Sequence, residues 1–246
     1  MARTFHLSFG TISYLFFFVT FLILIAFVGN LPFMPVTIDR GGPGAGAGWA
    51  ALVNVALILS FAVQHSVMAR QGFKSWWTKI IPASIERSVY VLATTVLLWV
   101  LMLLWHPMPA TIWSVEHQAG QVLLWALFAA GWGIVLLSTF LINHFELFGL
   151  QQVWQGWKKQ ETSPPKFVQP FLYKWVRHPL YFGLLLAFWS IPAMTAGHLL
   201  FAVGMTLYIV IGATLEERDL VAYFGDEYRA YKSRVAMLVP GLKRGG

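Results

Sequence analysis

The chain has 246 residues, of which 58% are hydrophobic and only 11% are charged, and its mean hydropathy is +0.65. Soluble domains carry about 25% charged residues, so the composition indicates an integral membrane protein. A net charge of +7 would suit nucleic-acid binding, but in a membrane protein it more often reflects cationic loops on the cytoplasmic side. The absence of cysteine excludes disulfides, thiolate metal sites and cysteine nucleophiles.

Four apolar runs are long enough to cross a bilayer, which takes about 20 residues per helix. They cover roughly residues 8–30, 49–68, 88–105 and 120–142. The first run lacks a small-residue cleavage pattern, so we interpret it as a retained helix and not a signal peptide. The glycine-rich residues 41–48 after it predict a plain loop, because a phosphate-binding loop would need a lysine and a strand–helix context. In the fourth run, Gly131 and Gly133 predict a close approach to another helix.

The C-terminal part of the sequence predicts less regular elements. Apolar residues within residues 143–157 predict a surface-lying or half-buried segment, and a polar linker with Ser163, Pro164 and Pro165 follows it. Residues 180–215 predict a helical hairpin whose first arm is short for a full crossing. The 3–4-residue spacing of apolar residues over 216–235 predicts one amphipathic helix on the cytoplasmic surface. The predicted fold is therefore an all-α polytopic membrane bundle with four full transmembrane helices, a C-terminal hairpin and this amphipathic helix.

The distribution of cations predicts the orientation of this bundle. With four crossing helices and a returning hairpin, both termini fall on one side of the membrane. Of the 17 Lys and Arg residues, only Arg40 then falls on the other side. Because cationic loops concentrate on the cytoplasmic side, we expect both termini to be cytoplasmic.

Ionisable and tyrosine side chains bracket the predicted hairpin. Before it stand Arg177, His178 and Tyr181, and after it stand Glu216, Glu217 and Tyr228. Charged groups beside a bilayer each need a partner or a wet cavity, so such a concentration predicts a functional site. The alternative is that the arginine and the glutamates pair only as juxtamembrane anchors.

These residues carry a resemblance to a known group. The run Arg177-His178-Pro179-Leu180-Tyr181, then Glu216-Glu217-Arg218, Tyr228 and Pro240, resembles the isoprenylcysteine carboxyl methyltransferase superfamily. The resemblance implies that S-adenosylmethionine binds at the cytoplasmic membrane face. Carried over by position, the cofactor or active-site residues would be Arg177, His178, Pro179, Tyr181, Glu216, Glu217 and Tyr228.

The chemistry of these side chains suits that cofactor. Arginine can grip a carboxylate with two hydrogen bonds, glutamates can face an ammonium or ribose hydroxyls, and tyrosines can meet a sulfonium or an adenine ring. Membrane sterol reductases share an Arg-His-Pro element and a later Glu-Glu-Arg, where these hold NADPH, but those proteins are longer. A length of 246 residues therefore favours methyl transfer over reduction.

A second resemblance concerns the N-terminal part of the sequence. The elements Gln64-His65-Ser66, Glu86-Arg87 and residues 143–154 are similar to those of the bacterial methanethiol S-methyltransferases. NnrU-like membrane proteins share the Gln-His-Ser element. The resemblance implies conversion of methanethiol to dimethyl sulfide with release of S-adenosylhomocysteine.

A thiol substrate needs a proton acceptor, because the thiolate is the nucleophile. A histidine near neutral pKa is the natural base, and the candidates are His144 and His65, with Glu146 or Asn143 orienting or hydrogen-bonding. The alternative is that these histidines are interfacial or capping residues. No compact metal-ligand spacing connects the histidines, so we predict no metal site.

The predicted function is S-adenosylmethionine-dependent methylation of a small thiol, most specifically methanethiol. The alternatives are methylation of an isoprenylcysteine carboxylate or a lipid, an NADPH-dependent reductase, and an NnrU-like protein without enzymatic activity. We expect one domain over residues 1–246, with a four-helix scaffold and substrate side in 1–142 and a cofactor-binding part in 143–246. The expected partners are the thiol and the lipid bilayer, without nucleic acid or an obligate protein partner.

Overall fold

A computed structural model describes residues 1–160 and 167–242. The predicted polar linker at residues 163–165 lies outside the described residues. The helices are α1 Ala2–Val28, α2 Ala47–Ala69, α3 Gln71–Trp77, α4 Ala83–Leu104, α5 Gln118–Ile142, α6 His144–Leu147, α7 Leu150–Lys158, α8 Pro179–Trp189, α9 Ala196–Phe224 and α10 Asp226–Arg234. A short 3-10 turn covers Phe171–Lys174, and the strands β1 Thr111–Ser114 and β2 Ala193–Thr195 pair in a two-stranded sheet that the hydropathy pattern did not predict.

The described part of the protein is an all-α polytopic membrane bundle, as predicted. Five helices are long and apolar enough to cross a membrane, namely α1, α2, α4, α5 and α9. The four predicted runs are confirmed as α1, α2, α4 and α5. The hairpin is asymmetric, because α8 has 11 residues and α9 has 29. At 1.5 Å per residue, α8 is about 16 Å long and falls short of a bilayer core of about 30 Å, whereas α9 exceeds it.

The prediction of one continuous helix over residues 216–235 is wrong, because the structure has two helices there. Helix α9 continues to Phe224, and α10 begins after Gly225. Gly225 has φ +59° and ψ −131°, a backbone conformation that residues with a Cβ atom avoid. The amphipathic character is confirmed for α10, since Tyr228 and Tyr231 are buried while its cations are exposed.

The residues group into two compact units, each described by itself. Unit 1 comprises Met1–Ala110, Asn143–Pro164 and Thr195–Leu200, and unit 2 comprises Thr111–Ile142, Pro165–Met194 and Phe201–Gly246. The single-domain organisation and its division after residue 142 remain predictions.

In unit 1, α7 packs against α1 and α4. Val153 of α7 is fully buried, and a Cβ atom added at Gly10 of α1 would lie 2.7 Å from one of its methyl groups. The predicted segment 143–157 is therefore half-buried but consists of two helices. Gly149 separates them with φ +87°, beside Ser88 of α4.

At one end of unit 1, hydrogen bonds join the start of α9 to the segments that follow α1 and α4. Thr195 Oγ1 donates to Asp39 Oδ1 at 2.5 Å, and the backbone amide of Ala196 donates to the Ala110 carbonyl at 2.8 Å. Asn30 Nδ2 donates to the other Asp39 oxygen at 3.2 Å. The turn that precedes α9 therefore lies at the end of unit 1 where α1 and α4 end. Burial raises the pKa of Asp39, which its hydrogen bond from Thr195 offsets in part.

In unit 2, α5 and α8 approach so closely that their backbones touch. A Cβ atom added at Gly131 of α5 would lie 2.7 Å from the Gly183 carbonyl oxygen and 2.7 Å from the Ala187 amide nitrogen of α8. A Cβ atom at Gly183 would lie 2.6 Å from the Gly131 carbonyl oxygen. Small residues allow such contacts between membrane helices. The predicted close approach is confirmed for Gly131, whereas a Cβ atom at Gly133 would meet nothing within 4 Å.

We expect Gly131→Ala to destabilise the protein by about 1–3 kcal/mol, because the new methyl group meets backbone atoms that cannot rotate away. Gly133→Ala is the matched control on the same helix, and we expect it to be neutral or slightly stabilising, since alanine favours helix. Thermal unfolding in detergent, followed by circular dichroism, measures both. Equal stability of the two variants would contradict the close packing.

Candidate active site

A buried ion pair lies at the centre of the candidate site in unit 2. Arg177 Nε donates to Glu217 Oε1 at 2.5 Å, and the two side chains are 7% and 3% exposed. Arg177 Nη1 also donates to the carbonyl oxygens of Lys232, at 3.0 Å, and Val235. One guanidinium thus joins the end of α9 to α10 and the residue after it.

The backbone around Arg177 explains why it points there. The amide of Arg177 donates to the Ala236 carbonyl at 2.8 Å, and the amide of His178 donates to the Met237 carbonyl at 3.2 Å. Pro179 then begins α8 at its first position, where its missing N–H costs no hydrogen bond. The Arg-His-Pro element is therefore a short extended pairing that leads directly into a helix.

A second carboxylate, Glu216, lies at the outer side of this pair. Its side chain is 46% exposed, and it accepts a hydrogen bond of 2.8 Å from the Tyr181 hydroxyl. The His178 ring lies against both glutamates, with Nδ1 3.8 Å from Glu216 Oε2 and Nε2 3.4 Å from Glu217 Oε1. The rings of His178 and Tyr181 are stacked at 5.3 Å.

Helix α10 adds tyrosines and a lysine to the site. Tyr228 is buried, and burial together with the charge of Glu217 raises the pKa of its phenol. Tyr231 donates to the Tyr173 carbonyl at 2.5 Å, and burial raises its pKa to about 12. Lys232 Nζ lies 3.0 Å from Glu217 Oε2. The sequence reasoning missed Lys232, although it follows Tyr228 by four residues and therefore lies on the same helix face.

Unit 2 thus brings the seven predicted cofactor residues into one neighbourhood. They are Arg177, His178, Pro179, Tyr181, Glu216, Glu217 and Tyr228. Their predicted role in binding a cofactor stays a prediction.

An apolar pocket of about 90 Å³ lies beside the chain segment that carries Arg177 and His178. Val176 and Pro179, which flank Arg177 and His178 in the sequence, both line it. Its full lining is Ile134, Leu172, Trp175, Val176, Pro179, Phe182 and Pro240. Because its lining is apolar, the pocket suits a small apolar group.

Of the predicted catalytic residues, His144 lies in unit 1 at the start of α6. The residue is 3% exposed, and its Nε2 atom lies 2.8 Å from the Tyr14 hydroxyl of α1. The ring also packs edge-on against Tyr14, at 5.6 Å, and against Phe148, at 4.9 Å. Burial lowers the pKa of His144. The sequence offered no signal for Tyr14, because a contact between residues 130 positions apart leaves no local pattern.

Asn143 and Glu146 bind each other around the first turn of α6. Asn143 Oδ1 accepts from the Glu146 amide at 3.3 Å, and Asn143 Nδ2 donates to Glu146 Oε2 at 2.9 Å. Asn143 Nδ2 also donates to Gln151 Oε1 at 2.6 Å. Asn143 is therefore the N-cap of α6, and its side-chain contact with Glu146 adds a second hydrogen bond to the first turn of the helix that carries His144.

His65, the other candidate base, lies in a different hydrogen-bonded group of unit 1. The Tyr90 hydroxyl is 2.9 Å from His65 Nε2, and the Thr94 hydroxyl is 3.2 Å from its Nδ1. Arg87 lies over the Tyr90 ring at 4.8 Å and donates to the Leu147 carbonyl at 2.7 Å. Arg87 thereby connects the helix that contacts His65 with the end of α6.

Comparison with known proteins places this protein in a family. Residues 71–235 match the family described as a protein of unknown function, DUF1295. The methanethiol S-methyltransferase of Mycobacterium tuberculosis is 52% identical over 98% of both proteins, and methanethiol S-methyltransferase 1 of Bradyrhizobium diazoefficiens is 53% identical over 94% of this protein and 81% of the relative. Nurim of Sus scrofa is 28% identical over 88% of this protein and 86% of the relative. No solved structure matches. The chain belongs to the methanethiol S-methyltransferase family.

Proposed function

We propose that this protein is a methyltransferase that methylates methanethiol to dimethyl sulfide with S-adenosylmethionine as the methyl donor. The observation that carries the proposal is identity of about 52% to methanethiol S-methyltransferases over nearly the whole sequence. The polar cluster of Arg177, Glu216 and Glu217 supports it with groups that suit the proposed donor.

The charges of the cluster suit the donor. The amino-acid end of S-adenosylmethionine carries one ammonium and one carboxylate, and Glu216 offers a half-exposed carboxylate whose position the Tyr181 hydroxyl holds. The seven predicted residues together with their neighbours on α10 would form the donor's binding site. When bound, the donor supplies a methyl group on a sulfonium, which the thiol sulfur takes as its proton leaves, and S-adenosylhomocysteine remains.

The proposed base is His144. Since burial holds its pKa below the usual value of about 6.5, its imidazole is neutral at pH 7 and can accept a proton from the thiol. Tyr14 fixes the ring through Nε2, and the Asn143 side chain caps the first turn of the helix that carries it. His65 is the second candidate, held by Tyr90 and Thr94.

The proposed location is the inner membrane of a bacterium, with both termini and the active site at the cytoplasmic face. Five apolar helices support a multi-pass membrane protein. The positive-inside tendency supports the orientation, because Arg40 is the single cation of 17 in the loop after α1, at the other end of that helix from the N-terminus.

Headspace gas chromatography tests the proposed reaction. Purified protein in detergent, supplied with methanethiol and S-adenosylmethionine, is expected to produce dimethyl sulfide and S-adenosylhomocysteine in equal amounts. A parallel calorimetric titration should show binding of S-adenosylhomocysteine and none of NADPH. Protein that binds S-adenosylhomocysteine but forms no dimethyl sulfide would refute the substrate, and binding of NADPH instead would favour a reductase.

A further inference from the structure

The charges of the candidate site comprise a buried ion pair, called the inner pair, and two half-exposed side chains of opposite charge, called the outer pair without implying a contact between them. The inner pair is Arg177 and Glu217, whose side chains are both buried. The outer pair is Glu216 and Lys232, whose side chains are 46% and 48% exposed. Each pair has one cation and one carboxylate, so the formal charges of the four side chains sum to zero.

The inner pair is committed to the protein. Arg177 donates through Nε to Glu217 and through Nη1 to the carbonyls of Lys232 and Val235. Glu217 meets Arg177 through Oε1 and Lys232 through Oε2. A ligand carboxylate that took over Arg177 would leave a buried Glu217 with one cation fewer, which is costly.

The outer pair has the properties that a zwitterionic ligand requires. An amino-acid group brings one positive and one negative charge, and the outer pair offers one half-exposed partner of each sign. Lys232 has three N–H donors on a flexible stem, so its ammonium can hold Glu217 and a second carboxylate at once. Exchange of hydrogen bonds at a half-exposed lysine costs much less than at a buried arginine.

We propose that Lys232 binds the carboxylate of the cofactor's amino-acid group and Glu216 its ammonium, while Arg177 is a positioning residue that holds Glu217 and α10. This inference rests on the proposed function, since it takes S-adenosylmethionine as the ligand. It moves the carboxylate-binding role from the arginine of the motif to a lysine on α10.

Two ligands that differ only in the carboxylate test the inference. S-adenosylhomocysteine has it, and its decarboxylated analogue S-adenosyl-3-thiopropylamine lacks it. Isothermal titration of the full-length protein in detergent measures both. Lys232→Gln is expected to weaken S-adenosylhomocysteine about 10- to 100-fold, the scale of a charge-assisted hydrogen bond, and to leave the affinity for the analogue unchanged.

Arg234→Gln is the matched control, because Arg234 is an exposed cation on the same helix and donates to the Ala230 carbonyl. We expect it to change neither affinity. Equal weakening of both ligands by Lys232→Gln would overturn the inference, because Lys232 would then act only through Glu217. Unchanged affinity for S-adenosylhomocysteine would also overturn it. Wild-type protein that binds neither ligand would overturn the proposed function and this inference with it.

Discussion

Replacing Arg177 with alanine is expected to lower the free energy of unfolding by about 3–5 kcal/mol, the usual effect of removing one partner from a buried ion pair. The change leaves Glu217 buried with weaker compensation and removes the donor to the carbonyls of Lys232 and Val235. We therefore expect α10 to detach first. Binding of S-adenosylhomocysteine should be lost together with stability, which chemical unfolding and calorimetry in detergent would show.

Arg229→Ala is the control for this prediction. Arg229 pairs with Asp226 at 2.7 Å, but both side chains are exposed. Exposed pairs contribute about 0–1 kcal/mol, so this variant should unfold like the wild type. Glu216→Gln provides a further contrast, since it should weaken binding with little change in stability. An Arg177→Ala variant as stable as Arg229→Ala would show that the inner pair does not hold α10.

Replacing His144 with alanine is expected to reduce kcat about 100- to 10,000-fold, the range that general-base catalysis contributes. The affinity for S-adenosylhomocysteine should not change, because the proposed base acts on the proton of the thiol and S-adenosylhomocysteine carries no such proton. Headspace chromatography of dimethyl sulfide measures kcat, and calorimetry measures the affinity. His117→Ala, at an exposed position without a predicted role, is the control.

The pH dependence of the same reaction follows from the environment of His144. The neutral imidazole is the active form, and burial lowers its pKa below about 6.5. The activity should therefore be constant near pH 7 and fall when the pH drops below the pKa of His144. In the unfolded state His144 binds a proton at a higher pH than in the folded state. Acidification therefore also lowers the stability of the protein as the pH falls from about 6.5 through the lower pKa of the folded state. If His144→Ala and His65→Ala each keep full activity from about pH 6 to 9, the histidine-base hypothesis is wrong.

The charged side chains of the candidate site hold one another in place. Arg177 and Glu217 neutralise each other in the interior, and Tyr181 holds Glu216 toward the exposed side. A site that already has its charges in place loses little free energy to reorganisation when the ligand arrives. Substitutions in the inner pair are therefore expected to lower the stability of the protein, whereas substitutions in the outer pair are expected to lower its affinity for the ligand with little effect on stability.

Hydropathy alone was sufficient to predict four of the five described helices that are long enough to cross a membrane. A run of about 20 apolar residues can satisfy its backbone in a bilayer only as a helix, and this local rule identified α1, α2, α4 and α5. The motif residues could also be predicted as one cluster, because a charge beside a bilayer requires a partner. Arg177 and Glu217 are 40 positions apart, yet both belong to the predicted set.

Other features depend on contacts that no local pattern records. The break between α9 and α10 at Gly225 follows from a backbone conformation with positive φ, which the periodicity of the side chains does not reveal. Gly131 and Gly133 look alike in the sequence, but only Gly131 touches another helix backbone. Tyr14 meets His144, and Lys232 meets Glu217, through packing between distant segments. Composition and motif thus determine which groups enter the membrane and the site, whereas tertiary packing decides which of them face each other, because long-range contacts depend on how helices dock and not on local sequence.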